Sequence, residues 1–128
     1  MYPKDKEIEK ILQSERITNE NQFAAMTGVS ISSYKKLRYN VKASGTSITT
    51  VLMVCVCFNR NYESAVRLFY ENNYDLSYPN HDVKVVLQIL DMLPLNGNCR
   101  ERYDKVNGIL KINNLPLIKP DKNWYPIN

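Results

Sequence analysis

The sequence predicts an all-α protein of seven helices, on three observations. Apolar residues recur at three- and four-residue spacing through most of the 128 positions. A residue able to cap a helix, Asn19, Ser47, Asn61, Asn80 or Asn98, stands before most of those periodic segments. The one segment that could pass for a buried strand, Ile48 to Phe58, has no partner strand elsewhere to satisfy its backbone.

The elements follow in order. A first helix runs from Asp5 to about Ser14, with Ile8, Ile11 and Leu12 on one face. Its Lys and Glu residues lie on the other, where a pair such as Glu7 and Glu9 is expected to be solvated. Asn19 caps a second helix, with Gln22 at the reciprocal capping-box position and Phe23, Ala24 and Met26 turned inward. A third helix spans about Ser30 to Tyr39, and Asn40 is placed to close it in a left-handed conformation. After a loop from Val41 to Thr46, Ser47 caps a fourth helix carrying Val51, Leu52, Cys55 and Phe58, although its β-branched run lowers helix propensity.

Asn61 caps a fifth helix, Tyr62 to about Asn72, packed through Ala65, Val66, Leu68 and Phe69. The pattern breaks at Asn73 to Leu76, and Pro79 fixes the interruption. Asn80 then caps a sixth helix whose stripe is Val83, Val86, Leu87, Leu90 and Leu93. Asn98 and Glu101 form a capping pair for a seventh, reaching about Ile112 through Tyr103, Val106, Ile109 and Leu110. The tail from Asn113 holds Pro116, Pro120, Pro126 and Trp124 and reads as extended. It either folds back onto its own domain or offers Trp124 and Tyr125 as a docking peptide for another chain. On this reading residues 1–78 form one domain, and 79–128 a C-terminal helical extension with its tail. The sixth and seventh helices either cover the backs of the first and fifth or supply a dimer contact.

Composition narrows the function classes. Hydrophobic content of 44% and charge of 23% are ordinary for a globular protein. The most apolar run falls far short of the ~20 residues a membrane span needs, and the N-terminus lacks an apolar secretory core. A cytoplasmic protein with no membrane partner is expected. Cys55 and Cys57 sit two apart on a helix and point to nearly opposite sides, and His81 is the single histidine. The three cysteines are read as small apolar core residues, with no metal or other cofactor expected. There is no Gly-rich phosphate loop and no nucleophile paired with the histidine, so no enzyme is expected.

The richest stretch is Asn19 to Tyr39. Ala24, Gly28, Val29, Tyr34 and Leu37 follow the spacing Ala-x3-Gly-Val-x4-Tyr-x2-Leu. A small Ala lets two helices touch, and Gly takes the left-handed turn between them without steric cost. Val29, Tyr34 and Leu37 then hold the second of these helices against the first. Ser30, Ser32, Ser33, Lys35, Lys36 and Arg38 are left outward, a polar and basic face suited to the major groove of DNA. The net charge is only +4, but no Asp or Glu occurs between Glu20 and Glu63, where Lys35, Lys36, Arg38, Lys42 and Arg60 fall. Ser30, Ile31, Ser32 and Ser33 are expected at base edges, with Ile31 able to touch a thymine methyl. Lys35 and Lys36 reach base acceptors or phosphates, and Arg38 is expected to hold a phosphate. With few bidentate readers, discrimination rests in part on DNA shape, and a dimer on a pseudo-palindromic site is expected.

These residues resemble the lambda-repressor-like, XRE-type helix-turn-helix family. The resemblance covers roughly Lys4 to Ser77 and rests on Phe23-Ala24-Ala25-Met26-Thr27-Gly28-Val29-Ser30, the inward Tyr34 and Leu37, and a fourth helix opening at Ser47-Ile48. It implies a five-helix bundle, here with two added C-terminal helices, and a regulatory role in transcription as a homodimer on double-stranded DNA. Glu20 stands where the family very often carries a Gln that helps hold a phosphate, a role Asn21 and Gln22 can take. Arg38-Tyr39-Asn40 replaces a frequent Glu-Asn-Gly close, and the loop before Ser47 is about two residues longer than typical. The other reading is a protein-interaction module on the same fold, such as an antitoxin or a phage inhibitor, engaging its partner through the C-terminal helices or tail.

Overall fold

A computed structural model describes residues 6–39, 45–78, 80–121 and 124. Among these residues there are seven helices and no strand: α1 (Glu7–Ser14), α2 (Glu20–Thr27), α3 (Ile31–Tyr39), α4 (Ile48–Cys57), α5 (Tyr62–Glu71), α6 (His81–Asp91) and α7 (Cys99–Ile112). The expected placements of Asn40, Lys42, Pro79 and Tyr125 lie outside the described residues.

The helices begin where their caps begin them. The side chains of Asn19, Asn61, Asn80 and Asn98 each accept from the backbone N–H three residues on, at 2.8 to 2.9 Å. Ser47 does the same for Thr50 at 3.2 Å. At α7 the box closes, because Glu101 Oε1 accepts from Asn98 N. At α2 the return bond moves one residue earlier: Gln22 Oε1 accepts from Thr18 N while its Nε2 donates to the Arg16 carbonyl. Helix α1 has no side-chain cap of its own. Glu71 supplies one from α5, its Oε2 accepting from Glu7 N at 2.7 Å.

Four helices end in the same way. Arg16, Asn59, Asn73 and Asn114 adopt left-handed φ angles of 58°, 49°, 69° and 59° just past α1, α4, α5 and α7. In each case that residue and the next donate backward to the paired carbonyls of a Schellman closure, as Arg16 does to Gln13 and Ile17 to Leu12. Asn tolerates this conformation better than other residues with a side chain, which accounts for three of the four.

Helix α4 is the centre of the molecule. All residues from Val51 to Cys57 are buried, and α2, α5 and α7 pack around it. That surrounding burial overrides the low propensity of its β-branched run, since a helix apolar on every side must be enclosed. Helix α6 packs on α5 and α7, and α7 packs on α4. Residues beyond 78, among them Val86, Leu90, Val106, Leu110 and Trp124, join the same buried cluster as Ile8, Phe23, Leu37 and Leu68.

The polar face expected on α1 is a correction. Glu7 and Glu9 are buried because cations from elsewhere in the chain meet them, and Lys6 is buried with its ammonium donating to the Arg38 carbonyl. Glu7 Oε2 accepts from Ser64 and lies 3.5 Å from Arg60, with Arg67 also within ion-pair reach, and Glu9 is held by Arg38. No helix among the described residues is long and apolar enough to cross a membrane.

Candidate nucleic-acid interface

The pair α2–α3 pivots on Gly28. Its φ is +74°, and its N–H donates to the Ala24 carbonyl at 2.9 Å, closing α2. Thr27 tightens the turn from inside, its hydroxyl donating to the Phe23 carbonyl and accepting from Val29 N. Tyr103 of α7 reaches the same turn and donates its hydroxyl to the Thr27 carbonyl at 2.6 Å. Phe23 and Tyr34 then pack with tilted rings across the pair, centroids 4.9 Å apart, and Leu37 is 1% exposed. The inward set read from the sequence, Val29, Tyr34 and Leu37, is buried throughout.

Ser30 opens α3. Its hydroxyl accepts from Ser33 N and donates to the Ser33 hydroxyl, both at 3.1 Å. Ser32 and Lys35 are exposed, Ile31 is 36% exposed, and Ser33 and Lys36 are half-buried. Asn21 is exposed on α2, whereas Gln22 spends its amide on Thr18 and Arg16. Ser30, Ile31, Ser32 and Lys35 therefore share the outer side of one helix.

Arg38 is placed differently. Its guanidinium makes a two-pronged contact with Glu9, Nε to Oε2 at 2.7 Å and Nη2 to Oε1 at 3.1 Å, and Nη1 donates to the Tyr34 hydroxyl at 2.8 Å. The Glu9 bond holds the guanidinium charge more firmly than usual, and burial pushes the Tyr34 hydroxyl up. Lys6 Nζ donates to the Arg38 carbonyl at 3.2 Å. The outer-face cation expected to hold a phosphate thus ties α3 to α1.

The acid-free interval in the sequence is not acid-free in space. Glu20 Oε2 lies 3.7 Å from Lys35 Nζ, both groups being well exposed. Asp121 comes from the far end of the chain to line a small cleft with Ser30, Ser33, Thr50 and Lys119. Linear spacing could not signal either approach.

The tail is what the sequence least revealed. Asp121 N donates to the Gly28 carbonyl at 3.0 Å, and Trp124 Nε1 donates to the Ala25 carbonyl at 2.9 Å. Trp124 is 5% exposed, tilted against Tyr103 with centroids 5.4 Å apart and covered by the Arg100 guanidinium at 5.0 Å. Upstream, Asn107 both donates to and accepts from the Ile118 backbone. Through Trp124 the tail folds back and braces the α2–α3 turn. The brace sits beside the turn and leaves Ile31, Ser32 and Lys35 to solvent.

No family model matches the chain, and no curated protein or solved structure matches it either.

Proposed function

We propose that this chain is a sequence-specific DNA-binding regulator of transcription that lays α3 in the major groove. On this reading α1 to α5 are a lambda-repressor-like bundle, α6 and α7 its extension, and repression as a homodimer its mode of action. The observation that carries the reading is the solvent-facing row Ile31, Ser32 and Lys35 on the helix that follows a left-handed Gly28 turn. Ser32 offers a donor and an acceptor to base edges, Ile31 an apolar contact, and Lys35 a cation for phosphate or guanine. The first turn of α3 carries no acidic residue, so on this reading its N-terminus presents positive dipole to the duplex.

Selection from a pool of random duplexes tests this. Enrichment of one sequence, bound ~10³-fold more tightly than scrambled DNA, is the expected result. Palindromic half-sites in that sequence would indicate the dimer. Absence of enrichment, with no binding at low salt, would overturn the reading. A second reading, a protein-interaction module, is favoured by the carboxylates of Glu20 and Asp121 beside α3, which weaken its attraction for phosphate. Capture of a single protein partner by a chain that binds no DNA would establish it.

A further inference from the structure

The C-terminal end of α4 and the N-terminal end of α7 meet around a cavity of about 430 Å³ lined by Met26, Cys57, Phe58, Asn59, Cys99 and Arg102. Arg102 clamps the two ends together. Its Nε donates to the Val56 carbonyl at 2.9 Å, and its two terminal nitrogens donate to the carbonyls of Gly97 and Cys57. These groups include the last carbonyls of α4, which a helix end leaves wanting donors. Cys57 is the last residue of α4 and Cys99 the first of α7, so the clamp brings both residues to the same cavity.

Cys57 and Cys99 both line this cavity, and Cys57 Sγ donates to the Met26 carbonyl at 3.3 Å. Their environments differ. The neighbouring Cys57 lowers the Cys99 thiol below its usual value, and Arg102 and Arg100 add to the effect. Cys99 also heads a fourteen-residue helix, whose N-terminus favours a thiolate. Cys57 is pushed the other way, by Cys99 and by burial. The other charged group lining the cavity is Glu15. Cys55 lies fully buried outside this cavity, its thiol held up by burial.

We propose that Cys57 and Cys99 form a reversible thiol–disulfide pair that takes hydrogen peroxide or an organic hydroperoxide as its oxidant. The Cys99 thiolate attacks one peroxide oxygen, the O–O bond breaks, and the departing oxygen leaves as water or an alcohol after taking up a proton. Cys99 is then a sulfenic acid. The Cys57 sulfur attacks the Cys99 sulfur, the S–O bond breaks, and the hydroxyl leaves as water with the Cys57 proton. Two thiols lose two electrons, the peroxide gains them, and a dithiol reductant reverses the change. The disulfide joins α4 to α7 and removes the hydrogen that Cys57 gives to Met26, two residues before Gly28.

The test uses the whole reduced chain. It is exposed to hydrogen peroxide, unfolded in the presence of an alkylating reagent, digested without reduction and analysed by mass spectrometry. The expected product is an intrachain Cys57–Cys99 link with the mass of two hydrogens lost, Cys55 alkylated, and full reversal by dithiothreitol. Cys55→Ala should still form the link, and Cys99→Ser should lose it. A link through Cys55, a link between chains, a Cys99 sulfinic acid with Cys57 still alkylatable, or full alkylation of all three thiols would each overturn the proposal. The measurement on the unsubstituted chain stands even if a variant fails to fold, and it does not depend on DNA binding.

Discussion

A methyl group at Gly28 would lie 2.7 Å from Pro120 Cβ and 2.9 Å from the Trp124 ring, on a backbone already left-handed at φ +74°. The turn alone asks for glycine, and the tail asks for it a second time. Gly28→Ala should therefore lower stability by about 2 kcal/mol or more in urea titration, beyond the left-handed penalty alone. Arg16 poses the reverse case, a long side chain held at φ 58°. Arg16→Gly should raise stability by up to about 1 kcal/mol in the same titration, because glycine takes that conformation without strain. Arg38 and Lys35 also part at this scale. Arg38→Ala leaves the buried Glu9 carboxylate unpaired and should cost about 3 kcal/mol in folding. Any change in DNA binding by this variant would then follow from misfolding. Among the described residues Lys35 shares an exposed 3.7 Å pair with Glu20, so Lys35→Ala should leave stability within about 0.5 kcal/mol and tests the proposed contact with DNA apart from folding.

Among the elements, α1 depends most on its neighbours. Its cap is Glu71 from α5, whose second oxygen, Oε1, has no hydrogen-bond partner among the described residues. Burial raises the Glu71 carboxyl above its ordinary value near 4.5. The folded chain therefore holds that proton at pH values where the unfolded chain has released it. Stability from this group is full below about pH 4.5 and is lost as pH rises through the folded value. Glu71→Gln keeps an accepting oxygen and should flatten that limb of the pH–stability curve, read from urea midpoints between about pH 4 and 7. The tail is the other dependent element. Trp124→Ala empties a buried site against Tyr103 and Gly28 and removes the donor to Ala25, so it should lower stability by about 3 kcal/mol. A change near zero in thermal unfolding would show the tail to be an ornament rather than a brace.

Across the whole molecule, what the sequence made legible is what is local. Asn61, Asn80 and Asn98 cap the helix that follows each of them, and the bond spans three residues, so composition at one point signals it. The inward Tyr34 and Leu37 follow from helical period alone. The contacts that shape the candidate interface are of another kind. Arg38 meets Glu9 across 29 positions, and Trp124 meets Ala25 across 99. No spacing rule connects such partners. The buried Glu7 and Glu9 were hidden for the same reason, since a charged residue on an amphipathic helix is solvated unless a distant cation comes to it. Cys57 and Cys99 read as separate core residues because the clamp that joins them, Arg102, acts through backbone carbonyls on another helix.

The most direct test of α3 as a DNA-reading helix is a binding titration on the selected duplex at several salt concentrations, for the native chain and for Lys35→Ala/Lys36→Ala. Each phosphate contacted contributes about −0.9 to the slope of log K against log salt. The account predicts steep salt dependence for the native chain. In the double variant it predicts a slope shallower by about 1 to 2, weaker binding and an unchanged melting temperature. Equal slopes and affinities for the two chains, or no binding by the native chain at low salt, would contradict it.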